Sequence, residues 1–341
     1  TQRRRGDVRA AGSTRRRGGQ SMEQDKKNAK VGQSSPPYAD SPNVTANGGT
    51  AGGRRHRARR KEDKPRQERE LMLRCMYHTV PGRVLLKMLS GRRFSALCGR
   101  FMDSSLSRPL IRRFVRKNHI DLNEYTATRY RSFNDCFTRR IRAEMRPIPH
   151  NPRALIAPCD GRLSAYRISD GLVMPIKQSW YSVSDLLGGD PIAEAYRNGV
   201  CRVFRLCVDN YHRYCYIANG TKGRNVFLPG QLHTVRPIAL SRIPVFIRNC
   251  REYTVMDTAA FGPVTQIEVG ALLVGKILNH DAEARVHRSA EKGMFLYGGS
   301  TIVLLLREGA ADLPDALFEK TARGEETPVR MGEILGYAHK K

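Results

Sequence analysis

One stretch near the C-terminus, KGMFLYGGSTIVLLL, constrains the fold of this chain more than any other. It spans Lys292–Leu306 and consists of apolar and β-branched residues broken by two adjacent glycines. Such runs predict two strands joined at a glycine turn, with the second strand, Ser300–Leu306, buried. Glycine also leaves the backbone sterically open directly before a hydroxyl. The turn therefore has a chemical alternative, in which Ser300 attacks the carbonyl of Gly299 and converts an amide link to an ester.

The rest of the chain divides into a helical part and a β-rich part. From Ala154 onward, short apolar runs alternate with Gly and Pro, which predicts a series of strands. Residues 71–120 read as two or three helices, and Asp121–Arg146 is expected to continue as helix until Pro147 ends it. The sequence therefore predicts an α+β fold, with N-terminal helices followed by a β-rich body of mainly antiparallel sheets. The predicted strands are LIAP, RLSAY, VCRVFRLCV, HRYCYIA, VTQIEVGALLVGKI and STIVLLL.

The basic charge of the chain is spread beyond its first segment. Residues 1–70 hold 19 of the 60 Lys and Arg residues and almost no large apolar side chains, so we expect a disordered basic tail, with RNA binding as its functional alternative. The remainder also carries an excess of positive charge, which attracts nucleic acid or an anionic membrane surface. Residues 71–150 form the predicted helical region. Its apolar run at 84–89 lies among arginines, which suits either membrane contact or ordinary packing.

Several classes of protein lack support in the sequence. The eight cysteines are scattered without metal-ligand spacing, which indicates free, mostly buried thiols in a reducing compartment. No apolar run reaches the roughly 18 residues of a membrane-spanning helix, so we expect a chain that lies on a membrane or is soluble. Neither a GxGxxG nor a GxxxxGK[ST] phosphate loop occurs, which gives nucleotide chemistry no support.

Four further segments are informative because of the order in which they occur along the chain. Alone, each is more typical of a turn or a structural histidine than of a functional site. In this order, ending in Gly-Gly-Ser-Thr, they resemble the phosphatidylserine decarboxylases, a family of pyruvoyl-dependent, self-cleaving proenzymes. The resemblance runs from about Met76 to Leu306 and includes the lead-in motifs MDS, SFNDCFTR and RP. The four segments are Ala157–Arg162, Asp209–Cys215, Phe227–Val235 and Phe246–Gly275.

The resemblance implies that the chain cuts itself between Gly299 and Ser300. The β-rich catalytic region, 151–341, would then belong to a large fragment, 1–299, and a small fragment, 300–341. The fragments are expected to stay associated, because the small one begins with a buried strand. The resemblance also implies a pyruvoyl cofactor derived from Ser300, with no metal and no pyridoxal phosphate.

The family uses an Asp–His–Ser relay for this cut. Asp160 matches its aspartate and Ser300 its serine, while His212 matches the first histidine of the family's Tyr-His-x-x-His pattern. The second position of that pattern, the relay histidine in one branch of the family, is Cys215 here. Three hypotheses follow. In the first, His212 acts as the base, and in the second, Cys215 does so as a thiolate. In the third, another residue acts as the base, or cleavage fails. An ordinary thiol is a poorer base at neutral pH than imidazole, which favours His212. The other candidate residues are His233, His280 and His287.

The implied reaction is decarboxylation of phosphatidylserine to phosphatidylethanolamine. Loss of carbon dioxide from an α-amino acid leaves negative charge on the α carbon, and a pyruvoyl ketone joined to the amine can accept it. His212 is the candidate for assisting carboxylate loss or returning the proton. The expected partners are phosphatidylserine and an anionic membrane surface rather than nucleic acid, and the expected location is peripheral, on the cytoplasmic side of a membrane. A homodimer is left open.

Two alternative functions remain at this point. The same scaffold could decarboxylate a soluble amino acid. The chain could also be an uncleaved, non-enzymatic relative that binds membranes or RNA.

Overall fold

The structure is a computed structural model, and three of its six described α-helices come before the first strand. The predicted α+β fold is confirmed. All the described residues belong to one compact unit of the chain. The predicted tail 1–70, the apolar run 84–89, His233 and Gly299 lie outside the described residues. Those described are Thr79 and residues 92–169, 173–176, 179–230, 245–270, 276–297 and 300–339.

The described helices are short. The α-helices are α1 (Arg92–Asp103), α2 (Pro109–Lys117), α3 (Phe133–Phe137), α4 (Val183–Leu186), α5 (Val245–Arg248) and α6 (Asp315–Ala322). Short 3-10 helices cover Ser105–Ser107, Leu122–Glu124, Ala143–Met145 and Pro191–Tyr196.

The strands begin after the third α-helix. They are β1 (Ala154–Ile156), β2 (Gly161–Arg167), β3 (Val173–Ile176), β4 (Ser179–Ser182), β5 (Val200–Leu206), β6 (Arg213–Cys215), β7 (Gly220–Lys222), β8 (Val226–Leu228), β9 (Arg251–Thr258), β10 (Gly262–Gly270), β11 (Ile277–Asn279), β12 (Ala284–Val286), β13 (Glu291–Phe295), β14 (Ser300–Leu306), β15 (Ala311–Asp312), β16 (Thr327–Val329) and β17 (Ile334–Ala338).

A nine-stranded sheet forms the centre of the molecule. Its order is β12-β7-β9-β10-β14-β5-β2-β16, with β8 added beside β9. The predicted strand Ser300–Leu306 is β14, which pairs along its whole length with β10 on one side and β5 on the other, both antiparallel. Three smaller sheets have the orders β1-β17-β15, β11-β13-β6 and β3-β4.

The burial of β14 explains its unbroken apolar sequence. Val303 and Leu305 belong to one hydrophobic cluster, which also contains α4 residues. Ile302 and Leu304 point to the opposite face and belong to a second cluster. Because successive strand residues face opposite sides of a sheet, a strand covered on both faces needs an apolar residue at nearly every position.

The expected helix over Asp121–Arg146 is wrong for most of its length. Within it, only Phe133–Phe137 is α-helical. The Ser132 hydroxyl accepts a hydrogen bond from the backbone N–H of Asp135 and so starts a new, separate helix. Polar side chains that bond to the nearby backbone in this way compete with a continuous helix.

The cysteines and the apolar character of the helices are both subjects of sequence predictions. Their seven cysteines are free and five are buried, in agreement with the sequence prediction. Within the same residues, no helix has the length and apolar character to cross a membrane.

Candidate active site

Ser300 begins the central strand β14 at one end of the sheet. Its backbone lies opposite Gly270, the last residue of β10, and opposite Leu206, the last residue of β5. The expected cleavage point is therefore beside the ends of two neighbouring strands, in the middle of the sheet.

Asp160 reaches the same end of the sheet from another strand. It directly precedes β2, whose first residues lie against the end of β5, because Arg162 pairs with Arg205. Since β5 separates β2 from β14, Asp160 and Ser300 are two strand spacings apart, roughly 10 Å.

A buried arginine holds the Asp160 carboxylate. The Arg146 Nε donates to Oδ1 at 2.8 Å, and its Nη2 donates to Oδ2 at 2.5 Å, so the pair is bidentate. The backbone N–H of Met331 also donates to Oδ1, at 2.9 Å. Burial lowers the pKa of Arg146, but the hydrogen bond and charge of Asp160 outweigh it and leave that pKa raised. The carboxylate is thus fixed by three donors.

His212 is fully buried directly before β6. Its Nδ1 lies 2.9 Å from the backbone oxygen of Asn210. Because a carbonyl can only accept, Nδ1 carries the proton and Nε2 carries the free lone pair. No described residue donates to that Nε2, although it is buried. The imidazole therefore presents an unoccupied proton acceptor inside the protein.

The imidazole lies beside the segment that leads to Ser300. Its ring centroid is 3.9 Å from that of Phe137, which in turn contacts the ring of Tyr297 at 5.3 Å. The backbone oxygen of His212 also accepts from the N–H of Phe295 at 2.9 Å. Burial and the positive charge of Arg139 lower the pKa of His212 to about 3, so the ring is neutral at physiological pH.

The structure places Ser300 and Asp160 at one end of the central sheet and His212 directly before β6, without joining them directly. The Asp160 carboxylate contacts Arg146 and Met331, and the His212 ring contacts Asn210 and Phe137. Asp160 and His212 thus share no hydrogen bond in the described part of the chain. Their roles in a relay with Ser300 stay a prediction.

The other candidates for the base lie in different settings. Cys215 is 1% exposed in the second apolar cluster, and burial raises the pKa of its thiol to about 12. His280 is exposed and bonds to Glu291 through Nε2 at 2.6 Å, and His287 is exposed. None of these settings provides the buried, free proton acceptor found at His212.

Sequence reasoning missed several polar residues around the site. Arg139 is 1% exposed and donates to the backbone oxygen of Asp209 at 2.9 Å. Lys292 and Glu268 form a fully buried ion pair at 2.8 Å between β13 and β10. These contacts join residues distant in sequence, and only the presence of charges inside apolar surroundings could have pointed to them.

Metal-ligand grouping and buried polar atoms are two further features of the described residues. No three His, Cys, Asp or Glu side chains of the described residues are grouped so as to hold a metal ion. Next to Ser300, the Thr301 hydroxyl is buried and finds no partner among the described residues, like Nε2 of His212. Buried polar atoms without partners are rare in native structures and call for an explanation.

Comparisons with known proteins identify the family of the chain. The family model for phosphatidylserine decarboxylase matches residues 133–337. The chain is 43% identical over 272 residues to phosphatidylserine decarboxylase proenzyme 2 of Clostridium acetobutylicum, covering 80% of this chain and 93% of that protein. It is 38% identical over 271 residues to a phosphatidylserine decarboxylase proenzyme of Ruminiclostridium cellulolyticum, covering 78% and 90%.

The chain belongs to the phosphatidylserine decarboxylase family. The family predicted from the order of the sequence motifs is therefore confirmed, and its relatives are named as proenzymes.

Proposed function

We propose that this chain is a proenzyme that cuts itself before Ser300 and then decarboxylates phosphatidylserine to phosphatidylethanolamine. It is a carboxy-lyase of its family. The proposal is supported by the position of Ser300 and Asp160 at one end of the central sheet, by the hydrogen bond between buried His212 and Phe295 shortly before Ser300, and by membership of a family of proenzymes.

The cut requires only atoms of the chain and one water. The Ser300 hydroxyl gives its proton to a base, and its oxygen attacks the carbonyl carbon of Gly299. The peptide nitrogen takes up a proton and leaves, so that an ester replaces the amide. Removal of the α-proton of residue 300 expels the Gly299 carboxylate, and addition of water to the resulting enamine releases ammonia and leaves a ketone.

His212 supplies the base in this proposal. Its free Nε2 accepts the proton, while the bond from Nδ1 to Asn210 fixes the ring and its tautomer. The lowered pKa of His212 makes the neutral ring a weaker base toward the Ser300 hydroxyl, and it makes the protonated ring a stronger acid toward the leaving nitrogen. The Cys215 thiol keeps its proton, since burial raises its pKa. Asp160, held by Arg146, is the proposed third member of the relay.

The pyruvoyl group that results at residue 300 would bind the substrate amine and accept the electron pair left when carbon dioxide departs. His212 is then suited to return the proton to the α carbon. The ring of Phe137 packs against His212 and the ring of Tyr297 packs against Phe137, so aromatic side chains cover one side of the buried imidazole.

The first helices support a lipid substrate over a soluble amino acid. Leu97 and Leu106 are 65% and 76% exposed, and Phe101 is 44% exposed. Helix α2 adds a basic stretch, with Arg112 and Arg113 next to the apolar side chains. Exposed apolar residues beside basic ones suit the headgroup layer of an anionic membrane. We therefore propose peripheral binding to such a membrane.

The test combines intact mass with two substrates. The purified chain is expected to separate in denaturant into fragments 1–299 and 300–341, with the small one starting in a pyruvoyl group. The mature protein should release carbon dioxide from phosphatidylserine vesicles and not from free serine. Ser300→Ala should stay uncut and inactive, because it has no hydroxyl to attack Gly299. An uncut parent chain would refute the proposal, and activity on free serine alone would favour the soluble substrate.

A further inference from the structure

The side chain of Asn134 bridges the end of helix α1 and the segment before the proposed cut. Its Nδ2 donates to Oδ1 of Asp103 at 2.7 Å. Its Oδ1 accepts from the backbone N–H of Tyr297 at 3.0 Å. Asn134 is only 3% exposed. Each end of the amide thus has a complementary partner, which also fixes its orientation.

This bridge reaches the chain at Tyr297, the last described residue before Ser300. The ring of Tyr297 makes edge contacts with Phe133 at 4.8 Å and Phe137 at 5.3 Å between centroids. Two glycines follow Tyr297 in the sequence, and glycine gives a backbone the widest choice of conformations. The direction in which the chain enters the Gly-Gly pair is therefore set at Tyr297.

We propose that Asn134 is a positioning residue for self-cleavage. This inference rests on the proposed cut between Gly299 and Ser300. By holding the Tyr297 N–H, the amide limits the conformations of the glycine pair and keeps the Gly299 carbonyl within reach of the Ser300 hydroxyl. Such orientation matters because attack inside a chain is fast only when the reacting atoms are held in near-attack geometry.

The Asp103 carboxylate connects the bridge to helix α1. Asp103 is the last residue of this helix, which presents the exposed side chains of Leu97 and Phe101. Through Asn134, the end of this helix is connected by two hydrogen bonds to the backbone before the cut. The position of α1 therefore affects how the scissile segment is held.

The first test measures maturation rates of two matched variants of helix α3 and its cap. Asn134→Leu removes both hydrogen bonds and should slow maturation at least tenfold, without shifting the cleavage site. Thr138→Val is the control, because Thr138 is also buried and its hydroxyl bonds to the Asn134 backbone oxygen at 2.8 Å, away from Tyr297. This control should mature at close to the parent rate.

The second test uses pH and does not depend on Asn134→Leu folding well. Asn134→Asp keeps an acceptor for Tyr297 but places a second carboxylate against Asp103, with Arg131 and Asp135 lining the same cleft. Two adjacent carboxylates tend to share one proton, and the protonated group can donate as the amide did. Maturation of Asn134→Asp should therefore speed up several-fold as the pH falls from about 8 to about 5. A role in stability alone would give no such rise.

The outcomes separate this inference from the proposed function. Parent-like maturation of Asn134→Leu would overturn it, as would equal slowing of Asn134→Leu and Thr138→Val. A flat pH profile for Asn134→Asp would also overturn it. If the parent chain itself stays uncut, the proposed function fails first, and the intact mass of the parent reveals that independently.

Discussion

At the scale of single residues, His212 is the side chain whose setting argues most clearly for chemistry. Its tautomer is set by the Asn210 carbonyl, and its second nitrogen is buried without a partner among the described residues. Cys215, at the position where the family pattern has a histidine, lies in an apolar cluster. The two residues therefore make different predictions for maturation.

His212→Ala should slow maturation at least 100-fold, because the proposed general base is lost and such bases typically contribute about 10²–10⁴-fold. Cys215→Ser should still mature near the parent rate, although a hydroxyl in an apolar site lowers stability by roughly 1–3 kcal/mol. Fragment formation followed on denaturing gels measures both. The reverse pattern, with Cys215→Ser uncut and His212→Ala cut, would identify the thiol as the base.

His212 also makes a prediction about stability and pH. In the folded chain its pKa is lowered to about 3, whereas an unfolded histidine titrates near 6.5. Below pH 6.5 the unfolded state therefore binds a proton that the folded state refuses, and stability falls as the pH drops toward 3, by up to about 1.4 kcal/mol per pH unit. Denaturant unfolding of uncut Ser300→Ala protein checks this. The slope of the free energy of unfolding against pH reports how many more protons the unfolded state binds. Adding His212→Gln should lower that number by about one. An unchanged slope would contradict the buried, neutral state of His212.

At the scale of elements, local signals predicted the strands well and the helical region less well. The apolar run after Gly299 became β14 because both of its faces are covered. The expected helix over Asp121–Arg146 failed because Ser132 bonds to the nearby backbone and starts a separate short helix. The motifs singled out Ser300, Asp160 and His212, whose roles stay predictions. The bidentate Arg146–Asp160 pair and the Asn134 bridge depend on tertiary contacts, which leave no pattern within a short stretch of sequence.

Helix α1 and the 3-10 helix Ser105–Ser107 after it carry the prediction about membranes. Leu97→Glu combined with Leu106→Glu should weaken binding to anionic vesicles at least tenfold, since each side chain inserted in the apolar layer contributes roughly 1.5–3 kcal/mol. Activity on detergent-solubilised lipid should stay close to the parent value, because both side chains are largely exposed. Vesicle sedimentation measures the binding. Trp180→Glu is a matched control, as Trp180 is 70% exposed on β4. Equal losses in the control and the double variant would reject a specific role for these helices.

At the scale of the whole molecule, the proposed cut breaks the chain and leaves the sheet intact. The small fragment would supply β14 in the middle of the central sheet, β16 beside β2, and β17 beside β1. An ion pair between Arg205 and Glu326 adds a further link between the two fragments.

The fragments 1–299 and 300–341 should therefore elute together from a size-exclusion column after maturation. Removing β14 would expose two strands and two apolar clusters to water. The free energy of that exposure is far larger than the few kcal/mol that hold together a readily dissociating complex. Separation should require denaturant. A free small fragment under native conditions would contradict the central position of β14.

The hydrogen bond from Met331 to Asp160 has a consequence for the timing of maturation during synthesis. Asp160 is made early, whereas Met331 is made well after the proposed cleavage site has left the ribosome's catalytic centre. A nascent chain that already contains Gly299 and Ser300 therefore still lacks one of the three donors that fix the Asp160 carboxylate. We expect chains stalled before Met331 to stay uncut, so that only a chain that has been translated past this point begins to mature.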